Sequence, residues 1–302
     1  MIERPATRAD LPAVVELWRR HEVSTSGAAE TDETAVREDW DRGGVDIVRS
    51  TRVLEDSGAV VGYAVVGPDG NSDSVVDPAR TGEGLEDRLL DWLEGAARES
   101  APGDGAGHAV HHYWQADDAD ADARFARRGW HAARTYWRMR RELDGPTPEP
   151  VWPQGVRVRP FDLQRDAHPA HELVEDAFAD VGDDRPRKDF ATWAAGMLDP
   201  ERFDADLYLV AEQQGEVVAV CLAQPMPAAG YVRQLAVRRA HRGRGLGLAL
   251  LQESFRRHAT RGWPATVLGV DAANATGATR LYERAGMRVV EAFTRWDLPL
   301  RP

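Results

Sequence analysis

The feature that most constrains this chain is a strand, a glycine-rich turn and a helix that follow one another between Gln234 and Leu251. The run Leu235-Ala236-Val237 is short and apolar, as expected of a buried strand. The turn is Arg242-Gly243-Arg244-Gly245-Leu246-Gly247, after which apolar residues recur at helical spacing up to a stop at Arg261-Gly262. The first N–H groups of a helix lack internal partners, and the helix dipole adds positive charge there. The sequence therefore predicts an anion site at this turn.

The charge of the region supports the same prediction. The whole chain has a formal net charge of −12, whereas residues 231–260 contain seven arginines and one glutamate. The three glycines let the backbone approach an anion without a Cβ in the way, and Arg242 and Arg244 add guanidinium groups beside it. A solvated arginine face on an ordinary turn is the alternative interpretation of this stretch taken alone.

The spacing separates this turn from two common phosphate-binding loops. It lacks the G-K-[ST] ending of a P-loop, and its glycines alternate instead of forming the G-x-G-x-x-G of a dinucleotide site. The remaining pattern of strand, R-G-x-G-x-G and helix resembles the acyl-CoA pyrophosphate loop of the general N-acetyltransferase (GNAT) superfamily. A second block resembles the end of a GNAT domain: Val267-Leu268-Gly269-Val270, then Asn274, Ala278 and Leu281-Tyr282-Glu283-Arg284-Ala285-Gly286-Met287.

The resemblance implies an acetyl-CoA site in the second half of the chain. The pantetheine arm would lie between two splayed strands and the pyrophosphate on the turn, while Tyr282 would be the general acid for the departing thiolate. A core tyrosine on an amphipathic helix is the alternative for Tyr282. The residues implied to bind the cofactor are Leu235, Ala236, Val237, Arg242, Gly243, Arg244, Gly245, Leu246, Gly247, Asn274, Ala278 and Tyr282.

The sequence leaves the general base open. Many family members carry glutamate at positions where this chain has Tyr231 and Gly269. Asp271 is the acid nearest to the second position, but it also suits the cap of the following helix. Three acids on the predicted first helix of the second half are further candidates: Glu175, Asp176 and Asp180.

The chain contains the same unit twice. Arg4-Pro5 recurs as Arg159-Pro160, and Gly129 recurs as Gly286, so the repeat is roughly a full domain. Prolines within 144–154 deny that stretch a helix or an inner strand and indicate a linker. We therefore expect an α/β (α+β) protein of two tandem GNAT domains, 1–143 and 155–302. Each would be a mixed, mostly antiparallel sheet with helices on both faces, a layout that resembles the mycothiol synthase family and related bacterial acetyltransferases.

The first copy lacks the residues that carry the chemistry in the second. Residues 76–97, which include its counterpart of the turn, contain six acids and two arginines. A carboxylate at a helix N-terminus satisfies the dipole itself and repels a pyrophosphate. We therefore interpret the first domain as degenerate and non-catalytic. The replacements are Thr81 for Arg242, Glu86 for Gly247, Asp117 for Asn274 and Phe125 for Tyr282.

The remaining sequence bounds the setting of the protein. No apolar run approaches the ~20 residues of a membrane span, and the N-terminus lacks a signal peptide's apolar core, so we expect no membrane partner and a cytoplasmic location. The negative net charge argues against a nucleic acid partner. The one cysteine, Cys221, lies in an apolar run and is expected to be a buried thiol. Neither the histidines of 108–112 nor the aspartates of 118–122 match a metal-ligand pattern, so no metal is expected.

Together these observations predict an enzyme that moves an acetyl group from acetyl-CoA to a primary amine of a small molecule. Two alternatives stay open: an acetyltransferase for protein N-termini or lysines, and a non-catalytic acyl-CoA-binding protein. An acidic acceptor pocket would favour cationic amines. The oligomeric state has no signal in the sequence.

Overall fold

The structure, a computed structural model, describes residues 1–41, 45–100, 108–181 and 187–300. Contacts divide the chain into two compact units. Unit 1 comprises Met1–Thr135 and the C-terminal stretch that begins at Ala292, and unit 2 comprises Tyr136–Glu291.

Unit 1 is a mixed sheet with helices. Its strands follow the order β1-β2-β3-β4-β5-β12, antiparallel throughout except for the parallel pair β4/β5. Its elements are β1 (Ile2–Arg4), α1 (Leu11–Ser26), α2 (Glu33–Asp41), α3 (Ile47–Ser50), β2 (Thr51–Asp56), β3 (Ala59–Val66), β4 (Asn71–Val76), α4 (Leu85–Ser100), β5 (Ala109–Gln115), α5 (Ala119–Arg127) and β12 (Arg288–Pro299), which belongs to this unit from Ala292 onwards.

Unit 2 repeats this plan. Its strand order is β6-β11-β10-β9-β8-β7, with β10/β11 as the parallel pair. Its elements are the second part of β6 (His131–Glu142), β7 (Val156–Pro160), α6 (Leu163–Ala179), α7 (Phe190–Met197), β8 (Tyr208–Gln213), β9 (Glu216–Met226), β10 (Ala229–Val237), α8 (Leu246–Thr260), β11 (Ala265–Asp271) and α9 (Ala278–Arg284).

The predicted fold class is confirmed, since each unit is a mostly antiparallel mixed sheet with helices. The sixth strand of each unit comes from the C-terminal end of the other half of the chain. Tyr136–Glu142 of β6 pairs with β11 in unit 2, and Phe293–Pro299 of β12 pairs with β5 in unit 1. The boundaries 1–143 and 155–302 describe the repeat along the chain and stay a prediction, whereas the compact units exchange these two strands.

The core of unit 2 explains how the site is positioned. Asp162 caps α6 by accepting hydrogen bonds from Gln164 N and Arg165 N, and α6 then buries Leu173 and Val174. On α8, buried side chains recur at helical spacing: Leu246, Leu250, Leu251, Phe255 and His258. The four apolar residues of this set and the almost fully buried strands β8 and β9 form one apolar cluster, so the sheet beneath the site is rigidly packed.

Two buried histidines lie at the parallel strand pairs. His258 of α8 is hydrogen-bonded to Thr266 Oγ1 of β11 (2.7 Å from Nδ1) and is 0% exposed. In unit 1, His112 of β5 is also 0% exposed and joins Ser72 Oγ (2.9 Å) and Ser74 Oγ (3.2 Å) of β4. Burial lowers the pKa of both imidazoles to about 4. Both rings are therefore neutral in the folded protein near pH 7.

Several sequence features have structural explanations. Cys221 is buried in β9, where burial raises the pKa of its thiol to about 12. Asp118 caps α5 by accepting a hydrogen bond from Ala121 N (3.0 Å).

Among the described residues no group of three or more His, Cys, Asp or Glu is arranged to hold a metal. No helix in the described part of the chain has the length and apolar character needed to cross a membrane.

We predict that acidification destabilises the fold through these histidines. Their folded pKa of about 4 lies below the ordinary 6.5, so the stability they contribute is complete above pH 6.5 and is lost as the pH falls towards 4. The free energy of unfolding should fall by up to about 3 kcal/mol per histidine across this window. Denaturant unfolding at pH 7.5 and 4.5 measures it.

The single variants His112→Gln and His258→Gln isolate the effect, because carboxylates also titrate in this range and glutamine cannot be protonated. Each variant should lose less stability on acidification than the wild-type protein. A variant with the same pH-dependent loss as wild type would contradict the role of that histidine.

Candidate functional site

A cavity of about 700 Å³ lies in unit 2 beside β10, β11 and the N-terminus of α8. Its lining contains nearly every residue that the resemblance assigned to the cofactor: Leu235, Ala236, Val237, Arg242, Gly243, Gly245, Leu246, Gly247, Asn274, Ala278 and Tyr282. Arg244 is the exception. It does not line the cavity, and its Nη1 lies 3.4 Å from Gln213 Oε1.

The cavity exists because β10 and β11 pair over a short distance only. Their parallel ladder joins Gly230 to Thr266 and Tyr231 to Val267. Beyond it, β10 stays paired with β9 up to Val237, while β11 stays paired with β6 up to Asp271. The edges of β10 and β11 that face each other therefore have backbone groups that a ligand can use as an added strand.

The turn before α8 has the geometry of an anion site. Gly243 and Gly245 have φ angles of +74° and +88°, in the left-handed region that residues with a Cβ avoid. Gly245 is the N-cap of α8, and no side chain caps this helix or places an acid in its first turn. The unpaired N–H groups and the positive end of the helix dipole are therefore available at the cavity wall.

Arg242 is held in place by two contacts. Its Nε donates to Val237 O (3.0 Å), and its Nη1 lies 2.8 Å from Asp180 Oδ2 at the end of α6. Asp180 also pairs with Arg239, and hydrogen bonds from Arg239 and Arg242 keep the pKa of its carboxyl below the ordinary range. Asp180, one of the candidate bases, thus lies with the basic turn.

Tyr282 lies on α9 at the cavity wall and is half-buried. Burial raises the pKa of its phenol well above the ordinary value, and the nearby Cys221 adds to the shift. The hydroxyl therefore keeps its proton at neutral pH and is chemically able to donate it.

The three other candidate bases are Glu175, Asp176 and Asp271, and one of them lines the cavity. Glu175 is 2% exposed and accepts a hydrogen bond from Lys188 N (3.0 Å), and Asp176 pairs with Arg187 (2.7 Å). Asp271 is the one carboxylate among the lining residues, and its Oδ1 accepts from Ala273 N (2.8 Å) in the turn after β11. The structure thus brings Asp271 to the cavity and leaves Glu175 and Asp176 outside its lining.

Sequence reasoning did not place two further residues, Tyr136 and Arg233, at the cavity that they line. Tyr136 belongs to β6, which the repeat assigned to the first copy, and only the strand exchange brings it to unit 2. Arg233 is the extra residue of a bulge in β10, between the pairs Val232–Ala223 and Gln234–Leu222. Neither position carries a local signal, although Arg233 stood among the seven arginines of the basic region.

Unit 1 has the same backbone form at the corresponding turn, but different side chains around it. Gly82 and Gly84 have φ angles of +84° and +79°, so the turn has the same form. Its helix, however, begins with the acids Glu86 and Asp87. Phe125, the counterpart of Tyr282, is 1% exposed and stacks on Trp296.

A histidine side chain bridges the two parallel strands of unit 1. His112 lies opposite Trp296 in β12, as Leu268 lies opposite Met139 in β6. Leu268 lines the cavity of unit 2, whereas His112 ties β5 to both Ser72 and Ser74 of β4.

The sequence of this chain is similar to those of known acetyltransferases. The model of the acetyltransferase (GNAT) family matches residues 167–287. The chain is 33% identical over 263 residues to a mycothiol acetyltransferase from Thermobispora bispora, covering 82% of this chain and 80% of that protein. A mycothiol acetyltransferase from Thermomonospora curvata is likewise 33% identical over 260 residues, with coverage of 82% and 80%.

Among solved structures, a GCN5-related N-acetyltransferase from Sphaerobacter thermophilus is 32% identical, with a TM-score of 0.82 over 100% of this chain and 96% of that one. A tandem GNAT protein from the clavulanic acid biosynthesis pathway shares the fold, with a TM-score of 0.75 at 16% identity over 100% and 99% of the two chains. The chain therefore belongs to the GNAT family of acetyl-CoA-dependent N-acetyltransferases.

Proposed function

We propose that unit 2 binds acetyl-CoA in this cavity and transfers the acetyl group to a primary amine of a small molecule. The observation that carries the proposal is that the anion-binding turn and Tyr282 line one cavity. The curated relatives are named for mycothiol, a small molecule, which favours a small acceptor over a protein N-terminus or a lysine.

In the proposed reaction the neutral amine attacks the thioester carbonyl, and the C–N bond forms as the C–S bond breaks. The departing sulfur takes the proton of the Tyr282 hydroxyl. The attacking nitrogen loses one proton as the amide forms, and that proton returns to the phenolate, directly or through water. Asp271, the one lining carboxylate, is already a hydrogen-bond acceptor in its own turn. The reaction would therefore use the neutral fraction of the amine supplied by solution.

Unit 1 is proposed to be non-catalytic and to bind no CoA. The acids at the start of its helix, the apolar surroundings of Phe125 and the His112 bridge all oppose the same use of its turn.

The proposed direct attack of the amine needs no metal-bound nucleophile, so we propose a reaction without a metal.

We predict one CoA per chain by calorimetric titration, and a loss of that site in Gly247→Glu. A Cβ at position 247 would lie 3.0 Å from Leu281 Cδ2, so any side chain crowds the site. Gly247→Gln is the matched control, because it has the same size without the charge. Glutamate should bind CoA at least about tenfold more weakly than glutamine does. Two sites in the wild type, or equal loss in both variants, would contradict the assignment.

Arg242→Ala should weaken CoA more than it weakens pantetheine, which lacks the pyrophosphate. A charge-assisted contact contributes roughly 1.5–3 kcal/mol, about ten- to a hundredfold in affinity. Arg244→Ala removes the same charge from the same turn and should cost less, since Arg244 does not line the cavity. Equal losses for CoA and pantetheine would show that Arg242 does not bind the pyrophosphate.

Tyr282→Phe should lower kcat by about 10²–10⁴-fold with little change in CoA affinity, because the ring and its packing remain and one proton donor is lost. Single-turnover acetylation of an amine identified from a panel measures it, at a pH where chemistry limits the rate. An unchanged rate would remove Tyr282 from the acid role and favour an acyl-CoA-binding role for its helix.

A further inference from the structure

Arg233 lies at the end of β10 that is remote from the pyrophosphate turn. It precedes Val237 by four residues, which is ~13 Å along a strand. As the extra residue of the β10 bulge it falls outside the regular pairing with β9, and it lines the cavity. A bulge changes the direction of a side chain relative to the regular strand. Arg233 is therefore placed on the acceptor side of the cavity rather than with the phosphates.

A buried amide holds its guanidinium. Arg233 Nη1 donates to Gln224 Oε1 (2.9 Å), and Gln224 is 1% exposed. Gln224 Nε2 donates in turn to Tyr208 Oη (3.1 Å), whose hydroxyl donates to Met197 O. Because a guanidinium can only donate, the amide oxygen must face Arg233, and the direction of the whole chain of hydrogen bonds is fixed.

The partner of Arg233 is neutral, so its positive charge is retained. Within the described residues no carboxylate pairs with Arg233, whereas Arg242 of the basic turn pairs with Asp180. An arginine has five N–H donors, and this contact uses one. Arg233 is exposed and lines the cavity, so its remaining donors can reach a ligand. A guanidinium without a carboxylate partner is suited to bind a carboxylate or a phosphate.

We propose that Arg233 is a specificity-determining residue that binds an anionic group, a carboxylate or a phosphate, on the amine acceptor. The proposal rests on the proposed acetyl transfer to a small-molecule amine and names the class of that amine. The neutral Gln224 orients the guanidinium without cancelling its charge. An acceptor of this class differs from the cationic amines that an acidic pocket would select.

Binding of product analogues tests the proposal without turnover and without a titrating amine. The probes are matched pairs: N-acetyl-L-leucine with N-acetyl-L-leucinamide, and N-acetyl-2-aminoethyl phosphate with N-acetylethanolamine. They are titrated calorimetrically into full-length protein saturated with CoA. The wild type should bind the anionic member of at least one pair about ten- to a hundredfold more tightly. The pair that shows the preference identifies carboxylate or phosphate as the group.

Four variants separate charge from structure. Arg233→Gln should abolish the preference, and Arg233→Lys should keep part of it. Gln224→Glu should reduce it, because an acidic partner neutralises the arginine, and Gln224→Leu should reduce it by releasing the side chain. Each variant should retain the wild-type affinity for CoA, and circular dichroism and thermal unfolding check that each is folded.

Equal or undetectable binding of the acid and its neutral partner by the wild type, in both pairs, overturns the proposal. So does a preference that survives in Arg233→Gln, or a CoA affinity that falls as far as the acceptor affinity in that variant. Turnover of the parent amines by the wild type is measured separately. A clear anion preference in binding without any acetylation would keep the subsite and overturn the proposed reaction instead.

Discussion

The short parallel ladder between β10 and β11 is the constraint on which the site depends. Two residue pairs join the strands, and His258 supports them from α8 through Thr266. Each strand then continues beside its other neighbour, and beyond these two pairs no ladder of described residues joins β10 to β11. The opening between the strands thus results from the pairing of the sheet. The turn, α8 and α9 contribute the polar side chains and N–H groups that line it.

Unit 1 shares this topology and differs from unit 2 in the side chains around the corresponding turn. It has the same strand order, the same short parallel pair and a turn with the same left-handed glycines. The differences are in a few side chains: acids at the start of α4, a phenylalanine in place of Tyr282, and a histidine that ties β5 to β4. Both units share the backbone form of the turn, whereas the basic residues of the turn and Tyr282 belong to unit 2.

The sequence predicted the parts of the fold that have local causes. The strand, turn and helix around Arg242 follow from hydrophobic period and glycine spacing, and the repeat followed from matching motifs about 155 to 157 residues apart. The exchange of β6 and β12 was not predictable, since the choice of partner for a strand depends on long-range pairing that leaves no local pattern. For the same reason Tyr136 was missed, and the bulge that sets Arg233 apart is invisible in a run of ordinary strand residues.

Two of the arginines that line the cavity, Arg242 and Arg233, show how the partner of a guanidinium affects the charge that it offers to a ligand. Arg242 is braced by the carboxylate of Asp180, so an incoming anion shares that guanidinium with an existing negative charge and gains part of its positioning from α6. Arg233 is braced by an amide, which fixes its direction and leaves its charge intact. The relay behind the amide, through Tyr208 to the backbone of α7, is almost fully buried and satisfied, so its geometry is stiff. One hydrogen bond to this relay positions the Arg233 side chain, which is otherwise exposed, so Arg233 contributes little to fold stability while its charge remains available at the cavity.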